Sequence, residues 1–337
     1  MDDSIFMQRT LTLASKGLGY TMSNPMVGCV IVYQGKIIGE GYHQRFGEAH
    51  AEVNAIHSVE NKELLKQSTL YVNLEPCAHS GKTPPCSHLI VEMGIPKVVF
   101  GSYDPNPLVN GKGVQYLKNK GVDVIGPVLE NECKELNKRF FIYQQEKRPY
   151  IILKWAETAN GKLNGDFKQI SGKMAGTMLH QWRSEEQAIM VGTNTLLEDN
   201  PQLNARNWNH HNPIRITFDR HLSNQHPSLH FFDLSQETIV FHVQSNDEKK
   251  LNGIKYIQLP DFEVKTVLSA LHQLGISSLI VEGGSKLLQS FIDEGLHDEI
   301  RVFKSKQLES TSGMDAPKIH TSLKNQLDLG QDVLLIY

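Results

Sequence analysis

A histidine, a glutamate and two cysteines stand in an order that can hold a hydrolytic metal: His50-Ala51-Glu52, then Pro76-Cys77, then Cys86. One imidazole and two thiolates give a tetrahedral zinc three ligands and leave its fourth position to water. Glu52, two residues from His50, can share that water and carry protons without ligating the metal. The chemistry of such a set is hydrolytic loss of an amine from an amino-bearing ring carbon. A purely structural zinc would need a fourth protein ligand, for which His79 and His88 are the candidates. The loop between the cysteines, residues 78 to 85, is longer than the short Pro-Cys-x-x-Cys form.

The elements that must position these groups follow from the apolar pattern. Residues 4 to 18 read as a helix closed by Gly17 and Gly19. CVIVY and IIGEGY, separated by a short glycine turn, read as a hairpin. His50 opens a helix running to Val59, and a helix N-terminus suits a metal site because its free amides favour negative charge. TLYVNL (69–74) is a strand that delivers Cys77, and a second helix from Pro84 places Cys86 near its start. Strand 97–104, helix 111–121, strand 122–126 and a closing helix over 128–146 complete the first half. Strands alternating with helices predict a mainly parallel sheet covered on both sides.

The polar QQEKRP stretch (144–149) reads as a linker, which sets domains at 1–146 and 150–337. Beyond it come the apolar strand YIILKWAET, a turn at Asn160-Gly161, a helix over 172–183 and the strand AIMVG followed by a polar segment. IRITF, TIVFHV, IKYIQL, SLIVEGG and EIRVF are further strands, with helices at 264–275 and 285–296. The glycine pair after Glu282 lets backbone approach a ligand, and the following helix offers amides to phosphate. There is no Gly-x-Gly-x-x-Gly, so a standard Rossmann site is not indicated.

The chain is long enough for about two domains, at 337 residues. A net charge of −3 gives no electrostatic footprint for nucleic acid. The acidic, discontinuous N-terminal stretch is not a signal peptide, and no apolar run is long enough to span a membrane. Four cysteines make no disulfide framework. Cys77 and Cys86 go to the metal, while Cys29 in a strand and Cys133 in a helix are free thiols of a reducing cytoplasm.

The blocks NPMVGCVIV, EGYHQRFGEAHAEVNAI, LEPCAHSGKTPPC and DPNPLVNGKG together resemble the deaminase half of the bifunctional riboflavin biosynthesis family, RibD. The resemblance implies zinc on His50, Cys77 and Cys86, Glu52 as proton carrier, and a diaminopyrimidinone ribosylamino 5′-phosphate as substrate. Lys82 in the enlarged loop suits the phosphate, and Asn24, His43 and, more weakly, Asn106 suit a polar ring.

In the second half, KWAETANGKLN, AIMVGTNTLLEDNPQLNAR and LIVEGGSKLLQSF are similar to the reductase half of the same family. That implies a dihydrofolate-reductase-like fold and NADPH, with Thr195, Asp199 and the stretch from Gly284 at dinucleotide positions. Arg183, Leu203, Arg206 and Glu282 fall at substrate positions, the two arginines as phosphate forks. Asn160 stands where the family shows aspartate, and residues 168–172 lack the aromatic that would stack on the cofactor.

The expected fold is α/β in two domains, a cytidine-deaminase-like α/β/α domain followed by a dihydrofolate-reductase-like α/β domain. The expected function is deamination of the phosphorylated pyrimidine, then NADPH-dependent reduction of its ribosyl to a ribityl chain. The protein is expected to be a cytoplasmic homo-oligomer, dimer or tetramer, that binds neither nucleic acid nor membrane. The rival reading is a nucleoside or tRNA deaminase with a non-catalytic C-terminal binding or dimerisation module.

Overall fold

The computed structural model describes residues 2–78, 84–107, 109–167, 169–208, 211–223, 228–244 and 251–337. The chain divides into two compact units, Met1–Lys147 and Arg148–Tyr337.

In the first unit α1 (Asp3–Ala14) precedes β1 (Gly28–Tyr33) and β2 (Lys36–Tyr42). Then come α2 (Ala51–Ser58), β3 (Thr69–Val72), α3 (Cys86–Glu92), β4 (Lys97–Phe100), α4 (Lys112–Asn119) and β5 (Asp123–Ile125). The unit closes with α5 (Glu130–Leu136) and α6 (Lys138–Gln145). The sheet order is β2-β1-β3-β4-β5. It is mixed rather than mainly parallel, because β1 runs against both of its neighbours. The cause is the two-residue turn Gln34-Gly35, both with positive φ, which folds β2 straight back on β1. Alternation along β1 makes three layers. Cys29 and Ile31 share an apolar cluster with Ala51, Ala55, Ile90 and Leu117 of α2, α3 and α4. Val30 and Val32 share another with Phe6 and Met7 of α1 and Cys133 of α5.

The second unit runs β6 (Tyr150–Glu157), α7 (Lys173–Glu185), β7 (Ala188–Met190), α8 (Thr193–Asp199), β8 (Ile214–Phe218), β9 (Thr238–His242) and β10 (Lys255–Gln258). It continues with α9 (Val264–Gln273), β11 (Ser278–Glu282), α10 (Ser285–Asp293), β12 (Glu299–Ser305), β13 (Asn325–Asp328) and β14 (Asp332–Ile336). The sheet order is β10-β9-β8-β7-β11-β6-β12-β14-β13, parallel as far as β12. One face packs Leu153, Val281 and Val302 against Leu271 of α9 and Phe291 of α10. On the strand β12 the alternate residue Phe303 stacks with Trp182 of α7, ring centroids 5.1 Å apart.

Local structure departs from the sequence pattern at four places. The closing helix over 128–146 breaks at Asn137 into α5 and α6. The polar segment after β7 coils into α8, which buries only Leu196. The tail beyond Val302 makes an antiparallel β13–β14 hairpin at the sheet edge. The linker is shorter than its polarity suggests: α6 extends to Gln145, and Arg148 is buried with its guanidinium forked onto Asp298 at 2.6 and 2.8 Å. Among the described residues no helix is long and apolar enough to cross a membrane.

Candidate active sites

In the first unit two helix starts and one strand exit converge. His50 is the residue before α2, Cys86 is the first residue of α3, and Cys77 follows β3. His50 Nδ1 lies 3.3 Å from Cys86 Sγ and 3.6 Å from Cys77 Sγ. All three ligating atoms fall within 4.8 Å of one another. Ordinary zinc–sulfur and zinc–nitrogen bonds at the tetrahedral angle separate such atoms by about 3.5 Å, so the set fits zinc. The charges agree. A hydrogen bond from the Cys86 thiol lowers the Cys77 thiol to about 4 against the opposing effect of burial. The bond to Cys77 raises His50 to about 9. A negative sulfur is therefore favoured here, as a cation site requires.

His88 is not a fourth ligand. It is exposed and stacks on Tyr116, ring centroids 4.2 Å apart. His79 and Lys82 lie outside the described residues. Glu52 is buried beside the ligands, and burial raises its carboxyl.

A cavity of about 170 Å³ opens onto this cluster, lined among others by Asn24, His43, Glu52, Cys77 and Asp104. A cavity of that size holds a single six-membered ring. His43 Nδ1 faces the Ala49 carbonyl at 3.1 Å, so it carries the hydrogen, and Nε2 accepts from Asn24 Nδ2 at 3.2 Å. Burial lowers this histidine below its ordinary value. Asn106 does not line the cavity; its backbone N–H caps Asp104 at 2.8 Å. Asp104 itself was missed by sequence reasoning, since an aspartate before proline reads as a turn residue. Burial pushes its carboxyl up to about 6.

The approach to Cys77 is held by Glu75, which also lines the pocket. Glu75 accepts backbone N–H bonds from Gly111, Gly113 and Val114 at 2.8, 2.9 and 3.1 Å. It thereby caps α4 and ties that helix to the metal loop. Gly113 is obligatory there, because a Cβ would drive into the Pro76 carbonyl.

In the second unit a cavity of about 540 Å³ lies at the carboxyl ends of β6, β7 and β11, where parallel sheets bind ligands. Thr195, Asp199, Glu282 and Gly284 all line it. Gly284 N–H donates to Thr195 Oγ1 at 3.0 Å, and Gly283 has φ +125°, which lets the backbone at the start of α10 pack closely on Thr195 in the cavity wall. Burial raises the Asp199 carboxyl. Phe167 also lines the cavity, so an aromatic is present one residue before the altered 168–172 stretch.

The substrate positions regroup. Arg183 is buried, and its fork is spent on Glu282 at 2.9 and 2.9 Å, so it offers no free fork to a phosphate. Lys154, unnoticed in the sequence because it sits in an apolar strand, approaches the same carboxylate at 3.7 Å. Burial pushes the Glu282 carboxyl up, but Arg183 and Lys154 outweigh it and hold it at about 2. Arg206 is exposed, with one bond to Asn204 Oδ1 at 3.0 Å. The Asn204 carbonyl in turn takes bonds from His180 at 2.9 Å and Arg183 at 3.3 Å. Leu203 is buried beside this cluster and, like Arg183 and Arg206, does not line the large cavity. Asn160 holds the turn that precedes the cavity-lining Leu163 and Asn164 by donating to the Ser310 carbonyl at 2.8 Å, a bond an ionised aspartate could not make.

Residues 1–102 match the family model of the cytidine and deoxycytidylate deaminase zinc-binding region, and residues 149–305 match the RibD C-terminal domain. The riboflavin biosynthesis protein RibD of Aquifex aeolicus is 40% identical over 99% of this chain and 98% of its own. That of Actinobacillus pleuropneumoniae is 38% identical over 100% and 95%. The chain belongs to the RibD family. Among solved structures, a deaminase/reductase from Thermotoga maritima superposes with TM-score 0.90 at 37% identity, covering 99% of this chain and 97% of that one. RibD of Acinetobacter baumannii gives 0.90 at 32%, covering 99% and 98%. As a RibD protein the chain is a bifunctional deaminase and reductase of riboflavin biosynthesis, with zinc and NADPH as cofactors. A non-catalytic C-terminal module is not favoured, since the reductase half matches the same family.

Proposed function

We propose that the two activities divide between residues 1–146, the deaminase, and 150–337, the reductase. The substrate of the first is 2,5-diamino-6-ribosylamino-4(3H)-pyrimidinone 5′-phosphate, and the product passes to the second for reduction of its ribosyl to a ribityl chain. One observation carries the reading: His50, Cys77 and Cys86 present three ligating atoms within 4.8 Å of one another, and His50 and Cys77 line a ring-sized pocket together with Glu52. Bound zinc supplies an activated water, and bound NADPH supplies hydride.

The protein's residues do the rest. Glu52 moves a proton from that water to the ring and on to the departing ammonia. Asn24 and the neutral His43, fixed on each other, orient the ring, with Asn106 steadying Asp104 beside it. Lys82 takes the phosphate. In the second unit Thr195, Asp199 and the Gly284 backbone hold the dinucleotide. Glu282, fixed by Arg183 and Lys154, faces the sugar, and Leu203 packs beside it. Arg206, whose guanidinium is exposed, takes the phosphate there. The four free cysteines support a cytoplasmic setting, and the exposed edge strand β13 supports a homo-oligomer, dimer or tetramer.

Glu52→Gln tests the first step: zinc should stay at one per chain while ammonia release falls about a thousandfold. Retained turnover would sink the assignment. For the second, NADPH consumption should require the deaminated product; equal oxidation with undeaminated substrate would overturn the order.

A further inference from the structure

Met26 sits in the middle of the segment that walls the first pocket, between Asn24 and Pro25 on one side and Val27 on the other, all three of which line it. The segment precedes β1, and although the Val27 carbonyl takes the His43 N–H at 2.8 Å, Met26 lies before the β1 ladder. Met26 is buried, and buried backbone groups need partners. They find them in two carboxamides. Asn137 Oδ1 accepts the Met26 N–H at 2.7 Å, and Asn137 Nδ2 donates to the Met26 carbonyl at 2.9 Å. Asn73 Nδ2 donates to the same carbonyl at 3.0 Å, and its Oδ1 accepts the Gly28 N–H at 2.8 Å.

Asn137 is 1% exposed and comes from 111 residues away. It is the residue at which α5 stops and α6 starts, with φ −98° and ψ 17°, the bridge region that helices avoid. A primary amide presents a donor and an acceptor in one plane, so it can close on both backbone groups of one residue as a neighbouring strand would. No apolar or hydroxyl side chain of that length does this. The helix pair thereby reaches into the pocket wall. It lies outside the stretches matched by the two family models, 1–102 and 149–305.

We infer that Asn137 is a positioning residue for deamination: it fixes Met26 and so sets where Asn24, Pro25 and Val27 meet the substrate ring. The inference rests on the division of activities proposed above. It predicts a defect in ground-state binding, because the pocket wall moves while the metal, Glu52 and their geometry do not. Asn137 is also far in sequence from the metal residues, unlike Asn73, which stands four before Cys77.

The test is steady-state kinetics of ammonia release by the full chain with the diaminopyrimidinone phosphate, together with zinc stoichiometry. Asn137→Ala leaves the Met26 N–H unpaired and should raise KM about tenfold, with kcat nearly unchanged and zinc at one per chain. Asn137→Asp has the same shape and removes the donor to the carbonyl; it should raise KM in the same direction, and it decides the matter if the alanine variant does not fold. Reduction of the deaminated product with NADPH should be unaltered in both. A folded, zinc-loaded variant with wild-type KM, or one that lowers kcat alone, overturns the inference. A wild type that releases no ammonia would overturn the division of activities and this inference together, which separates the two failures.

Discussion

The metal pocket and the cofactor cavity solve the same problem at different distances along the chain. The pocket draws its metal ligands and Glu52 from residues 50 to 86, at two helix starts and one strand exit. The cavity draws Lys154, Thr195, Glu282 and Met314 from across the second unit, and strand ends bring them together. A metal demands fixed bond lengths, so its ligands sit on short elements close together in sequence. A dinucleotide spreads over the ends of several strands and is met by backbone and by residues far apart in sequence. One site depends on a few irreplaceable side chains, the other on many modest contacts.

That contrast can be broken, and the largest effect should come from the pocket. Glu52→Gln should slow ammonia release about a thousandfold, with NADPH-dependent reduction of the deaminated product intact. A comparable loss in both activities would show that the units are not separable.

Next in size is the Glu282 cluster, read through pH. Its carboxyl is held at about 2 against an ordinary 4.5. A depressed carboxyl stabilises the fold above its ordinary value and loses that contribution as pH falls towards the depressed one. The second unit should therefore lose on the order of 3 kcal/mol as pH falls from 4.5 towards 2. Glu282→Gln should remove this dependence. All three tryptophans, Trp155, Trp182 and Trp208, lie in the second unit, so their fluorescence reports its unfolding alone. An unchanged acid limb in the variant would remove Glu282 from this role.

Gly113→Ala should cost the first unit about 2 kcal/mol, since the new methyl meets backbone at Pro76 that cannot turn aside. Competition with a chelator should show faster zinc loss, and wild-type retention would detach α4 from the metal site. The smallest effect is expected at Asn160. Asn160→Asp sets a carboxylate against the Ser310 carbonyl and should weaken NADPH binding about fivefold, titrated by tryptophan quenching. A larger loss there than at the metal pocket would reverse the comparison.

The same contrast explains what the sequence disclosed. His50, Cys77 and Cys86 are legible because metal ligands of fixed type recur at short spacing around helix starts. The strands of the second unit are legible as apolar runs, as in Ile151–Leu153 and Leu279–Val281, since parallel strands are buried on both faces. Asp104 and Asn137 are not legible. Each is one polar residue in a polar stretch, and only packing from elsewhere turns it inward. The break at Asn137 is hidden because Leu136 and Phe140 continue a helical apolar pattern across it. The Arg183–Glu282 pair is not legible either, since nothing local announces a carboxylate 99 residues away. Helix α8 escaped notice because it buries so little. The β13–β14 hairpin escaped because β13 is exposed throughout and carries no alternation.

Glu75 has a consequence for how the family can vary. Its carboxylate is occupied by three amides of the turn that opens α4, one residue before Pro76-Cys77. A drift at position 75 would strand those amides, and a side chain at 113 would push on the Pro76 carbonyl. Positions 75, 111 and 113 should therefore be inherited as a block, and the start of α4 should change as slowly among relatives as a metal ligand while never touching the metal.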